Sequence, residues 1–310
     1  MNVSTPAIEI QGLTYAYGSA EAVRDLSLSV KPGRCYGLFG RNGAGKTTTM
    51  KCLLNLLRPQ SGSVSVFGLD PSKHEVAVKS RLAYVPDQVA FYPWMTIRET
   101  LDYLASFRER WNGTTERELL DRFGLNPQQR TGSLSKGQRT QVALISAVCP
   151  ETDLLVLDEP TSGLDPIVRR EFIETVIGAY QEGSPGNRTI FVSTHLITEF
   201  EGLIDEFTIV DRGHAVLTLD SDQARERYQK IRARFSQPIP DIDLSSALRV
   251  KRNGRELEVI ADGAASEIEQ RLRQHRPEAL STEALTLEEI FVATLKHEPD
   301  SQSLSAVSAH

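Results

Sequence analysis

The sharpest chemical signal is Gly40-Arg41-Asn42-Gly43-Ala44-Gly45-Lys46-Thr47, a full match to G-x-x-x-x-G-K-[ST]. Glycines at 40, 43 and 45 let backbone amides wrap phosphate oxygens that a Cβ would crowd. The helix that follows points its positive end at the same anion. Lys46 is suited to neutralise the outer phosphates, and the Thr47 hydroxyl to reach Mg²⁺. Asn42, Ala44 and Thr48 belong to the same nucleotide-binding stretch. A second signal is Leu154-Leu155-Val156-Leu157, an aliphatic run that delivers Asp158-Glu159. Asp158 can hold Mg²⁺ through water, and Glu159 can orient or deprotonate an attacking water. Alone, the two acids read as a solvated strand end. Beside Lys46 they read as the hydrolytic half of an ATP site.

Chemistry of this kind needs strands that end together. Short apolar runs at Ile8–Ile10, Leu26–Val30, Cys35–Phe39, Ser63–Val66, Leu82–Val85, Leu154–Leu157, Thr189–Ser193 and Phe207–Asp211 read as strands. Several have few polar interruptions, the pattern of strands covered on both faces. Helical periodicity fills Lys46–Leu57, Thr96–Trp111, Ser135–Cys149, Pro166–Gln181 and Leu196–Leu203. The alternation predicts an α/β P-loop fold with a largely parallel central sheet. Residues from about 88 to 147 read as almost wholly helical, an inserted subdomain. Past Asp220 the composition shifts. The segment Asp222–Arg234 is dense in charge, Asn253-Gly254 signals a hairpin, and helices are expected at Ala265–His275 and Leu287–Leu295. The predicted domains are 1–220, a small α+β domain over 221–296, and a mobile tail over 297–310.

The chain has 310 residues, 40% of them hydrophobic and 25% charged, within the range of globular proteins and enough for about two domains. A net charge of −6 argues against a protein that coats nucleic acid. Cys35, Cys52 and Cys149 form no C-x-x-C pair, so a reducing compartment is the simpler reading. No apolar run is long enough to span a bilayer, and the N-terminus lacks the pattern of a signal peptide, which together predict a cytoplasmic protein.

Leu134-Ser135-Lys136-Gly137-Gln138, ahead of the acidic pair, resembles the L-S-G-G-Q signature of ATP-binding cassette (ABC) proteins. The other motifs then fall into that family's order, over about residues 7–220. Tyr17 resembles the aromatic that stacks on adenine. Ser162-Gly163-Leu164-Asp165 is similar to the loop that links two active sites, with Asp165 as its acid, and His195 to the histidine that contacts the γ-phosphate. The resemblance implies that Ser135, Gly137 and Gln138 complete the ATP site of a second subunit, which is either a copy or a homologue. ATP then favours a closed dimer and hydrolysis releases it. It also implies a separate transmembrane permease, to which the helical insertion transmits the motion, and a place on the cytoplasmic face of the membrane.

Two departures stand out. Lys136 replaces a family glycine, and its charge would lie near a γ-phosphate or in solvent, solvent being the favoured reading. The glutamine that the family uses to sense Mg²⁺ and report to the permease is assigned to Gln88, with Asp87 as the alternative. A single cassette with a C-terminal extension, the Phe91–Thr96 and Trp111-Asn112 segments and the Leu285–Phe291 stretch resemble ATPase subunits of bacterial drug, antibiotic or lipid exporters. Core packing explains Trp111 equally well. The cluster Arg225, Arg227, Lys230, Arg232 and Arg234 reads as a solvated helix face rather than a lipid contact. Dimer stabilisation and regulation both suit residues 221–296. The alternative to transport is a soluble ABC ATPase acting on nucleic acid or ribosomes.

Overall fold

The computed structural model describes residues 5–181 and 188–296, so the tail expected over 297–310 lies outside the described residues. The described residues form two compact units that divide between Thr218 and Leu219, within β9. In chain order the first unit runs β1 (Ile8–Tyr17), β2 (Ala20–Val30), β3 (Cys35–Phe39), α1 (Lys46–Leu53), β4 (Ser61–Val66), α2 (Glu75–Arg81), β5 (Leu82–Val85), α3 (Ile97–Ala105), α4 (Gly113–Arg122), α5 (Lys136–Val148), β6 (Leu154–Asp158), α6 (Pro166–Gln181), β7 (Thr189–Thr194), α7 (Ile197–Phe200), β8 (Glu206–Asp211) and β9 (His214–Asp220).

The central sheet has the order β5-β6-β7-β3-β8-β9, and its pairs from β5 through to β8 are parallel. Every residue of β3, β6 and β7 is buried, which explains their largely apolar sequences. Each fully buried aliphatic side chain there stabilises the fold by about 1.5–3 kcal/mol. Because β6, β7 and β3 are parallel neighbours, their C-terminal ends meet at one edge. Asp158 lies in register with Ser193, and Phe39 with Thr194. The segments that leave that edge carry Lys46, the first residue of α1, and Glu159 and His195.

Three of the expected strands leave the parallel sheet. They make a separate antiparallel sheet, β2-β1-β4. Both β1 and β2 run well beyond the expected apolar runs, and the tight turn at Gly18 (φ 60°) joins Tyr17 to Ala20. In the helical region, Thr96 and Glu99 form a capping box that starts α3, and Asn112 caps α4. Ile97, Leu101, Leu119, Leu134, Val142 and Ile145 share its core. The helix expected to continue to Trp111 ends at Ala105. Arg108 donates instead to the carbonyls of Lys79 and Leu82, and Trp111 Nε1 donates to Glu116 at 2.7 Å. Likewise α1 stops at Leu53, where Asn55 turns left-handed (φ 56°). All three cysteines are free and buried.

The second unit comprises α8 (Ser221–Arg227), β10 (Tyr228–Arg234), β11 (Ala247–Asn253), β12 (Glu256–Asp262), α9 (Ala265–Gln274), β13 (Ala279–Ala284) and α10 (Leu287–Lys296). Its sheet is antiparallel, in the order β11-β12-β10-β13. Asn253 pairs with Glu256 across the expected hairpin, with Gly254 at φ 58°. Ile231, Ala233, Leu257, Val259, Ile268 and Leu272 are buried together in its core.

The arginine-rich segment is not one helix face. Only Arg225 and Arg227 are helical, and the rest is β10, with Ile231 and Ala233 turned inward and Arg232 and Arg234 outward. Lys230 is buried against Glu289 of α10 and lies 3.5 Å from Glu283. The charges concealed a period of two, which is a strand pattern. Leu287, Ile290 and Ala293 bury the apolar side of the terminal helix.

Candidate functional site

The loop after β3 keeps its glycines for steric reasons. A Cβ at Gly40 would stand 2.6 Å from the Val210 carbonyl, and one at Gly45 2.4 Å from that of Ala22. Gly43 and Gly45 have φ of 83° and 105°, which favour glycine. No side chain caps the start of α1, so its first amides are available to an anion. Lys46 is only 5% exposed. Its ammonium donates to the Gly40 carbonyl at 2.7 Å and the Arg41 carbonyl at 3.2 Å, and it sits 2.8 Å from Glu159 Oε1. That last contact is an ion pair off the donor axis, which leaves Oε1 without a directed hydrogen bond. A glycine cradle, an uncapped helix start and a buried ammonium together fit a polyphosphate.

The acids of β6 have different surroundings. Asp158 Oδ1 accepts from Ser193 Oγ at 2.6 Å and from Thr47 Oγ1 at 3.1 Å. Burial, with the negative charges of Glu159 and Asp87, raises its carboxyl above the ordinary range despite those hydrogen bonds. The site therefore favours a proton or a cation on Asp158. A carboxylate beside a hydroxyl is the hard-oxygen donor set that Mg²⁺ takes alongside phosphates. Glu159 adopts a left-handed backbone (φ 47°), unusual for a residue with a side chain. Its amide donates to the Ser193 carbonyl at 3.0 Å, and His195 Nδ1 lies 2.7 Å from its Oε2.

Glu159 and His195 line one cleft of about 390 Å³ together with Tyr17, Ala22, Asn42, Thr48, Asp87 and Ser162, and the buried Asp158 touches it through Thr47. Tyr17 is half exposed and packs edge-on against Tyr15. Gly43, Gly45, Lys46 and Thr47 also line the cleft, while Gly40 and Ala44 shape the loop behind it. At the coupling position the cleft takes Asp87. Gln88 is exposed and does not line it. Sequence reasoning missed Ser193, although its place at the end of a strand beside β6 was the available signal. It also missed Ala22, which only the fold brings close.

The signature residues do not line this cleft. Ser135 Oγ accepts from the Gln138 amide at 3.1 Å, and Gln138 Oε1 accepts from the Ser135 amide at 3.0 Å, a capping box that begins α5. Asp165 similarly caps α6, accepting from the amides of Ile167 and Val168. Gly137 packs against Val168. Lys136 is exposed, as expected, and its Nζ also donates to the Ser162 carbonyl at 2.5 Å.

Known proteins share much of this sequence and fold. The family model described as ABC transporter matches residues 23–162. The bacitracin transport ATP-binding protein of Bacillus licheniformis is 34% identical over 225 residues, 72% of this chain and 72% of that protein. The ABC transporter ATP-binding protein YtrB of Bacillus subtilis (strain 168) is 26% identical over 292 residues, 92% of this chain and 97% of that one. A solved structure of an ATP-binding subunit of an ABC transporter superposes with a TM-score of 0.63 at 26% identity, covering 71% of this chain and 92% of that chain.

Proposed function

The chain belongs to the ABC transporter family as its ATP-binding and hydrolysing subunit, and from that premise we propose which of its residues bind ATP, hydrolyse it and pass on the result. The convergence of Lys46, Asp158, Glu159 and His195 at the ends of three adjacent parallel strands carries the reading.

The amides of Gly40 to Thr48 and the Lys46 ammonium bind the phosphates, and Tyr17 offers its ring to the base. Thr47 and Asp158 would hold Mg²⁺, which when bound neutralises phosphate charge. Glu159 then orients water and takes its proton. His195, 2.7 Å from the second oxygen of Glu159, fixes the carboxylate and faces the terminal phosphate. Asp87 replaces Gln88 as the group between Mg²⁺ and the helical region.

ABC ATPases work as dimers with membrane permeases. Ser135, Gly137 and Gln138 at the start of α5 present amides and a hydroxyl to the nucleotide of a second subunit, and Asp165 lies in the loop between the two sites. An apolar groove of about 510 Å³, which includes Leu54, Leu56, Val76, Leu104 and Phe107, offers a seat for a cytoplasmic segment of the permease. Tyr84 lines the same groove, and its hydroxyl lies 3.5 Å from Asp158 Oδ2, which joins groove to cleft. No helix among the described residues is long and apolar enough to cross a membrane. A relative named as a Nod factor export ATP-binding protein, 34% identical over 221 residues, supports an exporter, held at the cytoplasmic face of the membrane by its permease.

The test is Glu159→Gln. ATP affinity is expected within about twofold of wild type, while hydrolysis falls by roughly 10²–10⁴-fold, the scale of a lost general base. Hydrolysis at the wild-type rate would remove Glu159 from this role.

A further inference from the structure

We propose that Lys136 is a positioning residue for hydrolysis, its ammonium pinning the turn at Ser162, and through that turn Glu159, to the start of α5. The proposal rests on the reading of Glu159 as the group that activates water.

The link is a short chain of contacts. Lys136 is the first residue of α5, directly after its cap Ser135. Its Nζ donates to the Ser162 carbonyl at 2.5 Å, and the Ser162 amide donates to the Glu159 carbonyl at 3.1 Å. Glu159 therefore begins a tight turn whose far side is held by the lysine. Ser162 lines the cleft beside Glu159, Lys46 and His195, so a shift of this turn is a shift at the site.

Two further observations fit a built contact. At Gly163 (φ 69°), a Cβ would stand 3.0 Å from Lys136 Nζ, so the glycine leaves room for the ammonium as well as for the backbone turn. Glu159 itself is held at φ 47°, a conformation that persists only where its surroundings enforce it. The ends of the loop are fixed by β6 and by the Asp165 cap of α6. Between them, Arg169 holds the Leu164 carbonyl at 3.1 Å, and Lys136 holds that of Ser162.

The contact also has a direction. The start of α5 faces a second subunit in the reading above, whereas Ser162 faces this chain's own cleft. A movement of α5 on dimer closure would reach the turn of Glu159 along this contact. A glycine at position 136 would lack the connection.

The experiment compares full-length wild type with Lys136→Met, Lys136→Arg, Gly163→Ala, the Lys136→Met/Gly163→Ala double variant and Glu159→Gln. Steady-state ATP hydrolysis, ATP affinity and melting temperature are measured for each. Lys136→Met is expected to lower kcat about fivefold to tenfold, the scale of one exposed hydrogen bond, with KM and ATP affinity unchanged. Lys136→Arg should recover most of the rate, because it restores a charged donor. Gly163→Ala should slow turnover similarly, and the double variant should be no slower than the worse single one, because both changes break one link.

An unchanged kcat in Lys136→Met would overturn the proposal. So would a raised KM with kcat intact, which would make the lysine a direct nucleotide ligand, or a rate loss that only follows a lowered melting temperature and that arginine does not rescue. Glu159→Gln separates the two levels. Its hydrolysis at the wild-type rate would withdraw the role of Glu159 and this proposal together. A slow Glu159→Gln beside an unaffected Lys136→Met would withdraw only the lysine link.

Discussion

Each unit buries a lysine against a glutamate, and the two pairs serve different ends. Lys46 and Glu159 are 5% and 10% exposed, at the open ends of parallel strands. Lys230 and Glu289 are 10% and 38% exposed, where a helix start packs on an antiparallel sheet. Around Lys46 stand carbonyls, glycines and an uncapped helix start, and one oxygen of Glu159 lacks a directed hydrogen bond. Around Lys230 the partners are complete. Glu289 accepts from the Thr286 amide, and Glu283 shares the ammonium. Function is distinguished here by what the pair leaves available rather than by the pair itself.

The widest separation is expected from Lys46→Ala. Loss of one charged contact to phosphate should weaken ATP binding by roughly 10–100-fold, measured by isothermal titration. Unchanged affinity would erase the distinction between the pairs. Lys230→Met should leave ATP affinity untouched and lower stability to urea by about 1 kcal/mol, a figure reduced for the partial exposure of Glu289. A change in nucleotide binding there would contradict a purely structural pair.

Acid titration sharpens the same point. Burial alone would raise the Glu289 carboxyl, but Lys230 and Thr286 outweigh it and hold the group below its ordinary value of 4.5. Its contribution is therefore present above that value and fades as pH falls through the lowered one. The difference between wild type and Lys230→Met should shrink as pH falls below 4.5, and a difference that grows would reverse the sign of the pair. The smallest effect is expected from Ser135→Ala. Loss of the α5 cap should cost about 1 kcal/mol or less in urea unfolding, and unchanged stability would mean that the cap contributes nothing.

Much of the first unit was legible because its chemistry and its core share residues. The run Leu154–Leu157 is apolar because β6 is buried, and it ends in acids because the site lies at its end. Pro166–Gln181, Cys35–Phe39 and Leu82–Val85 carry boundaries that turn residues and caps announce. Less legible were elements whose signal is tertiary. β13 is mostly exposed and lacks an apolar stripe, and β10 hides its alternation behind arginines. At the site, residue type could not decide between Asp87 and Gln88, since a shift of one residue after β5 is a matter of backbone path. Lys136 is exposed as read, but nothing local reveals that the carbonyl of Ser162 lies within its reach.

The most direct test of the central claim, an ATPase that powers a membrane permease, is affinity capture of the tagged Glu159→Gln chain from its native cells. The membranes are solubilised in detergent with ATP and Mg²⁺ present. The expected eluate contains a multi-helix membrane protein in stoichiometric amount. A soluble dimer carrying only nucleic acid or ribosomal protein would contradict the transport reading while leaving the ATP site intact.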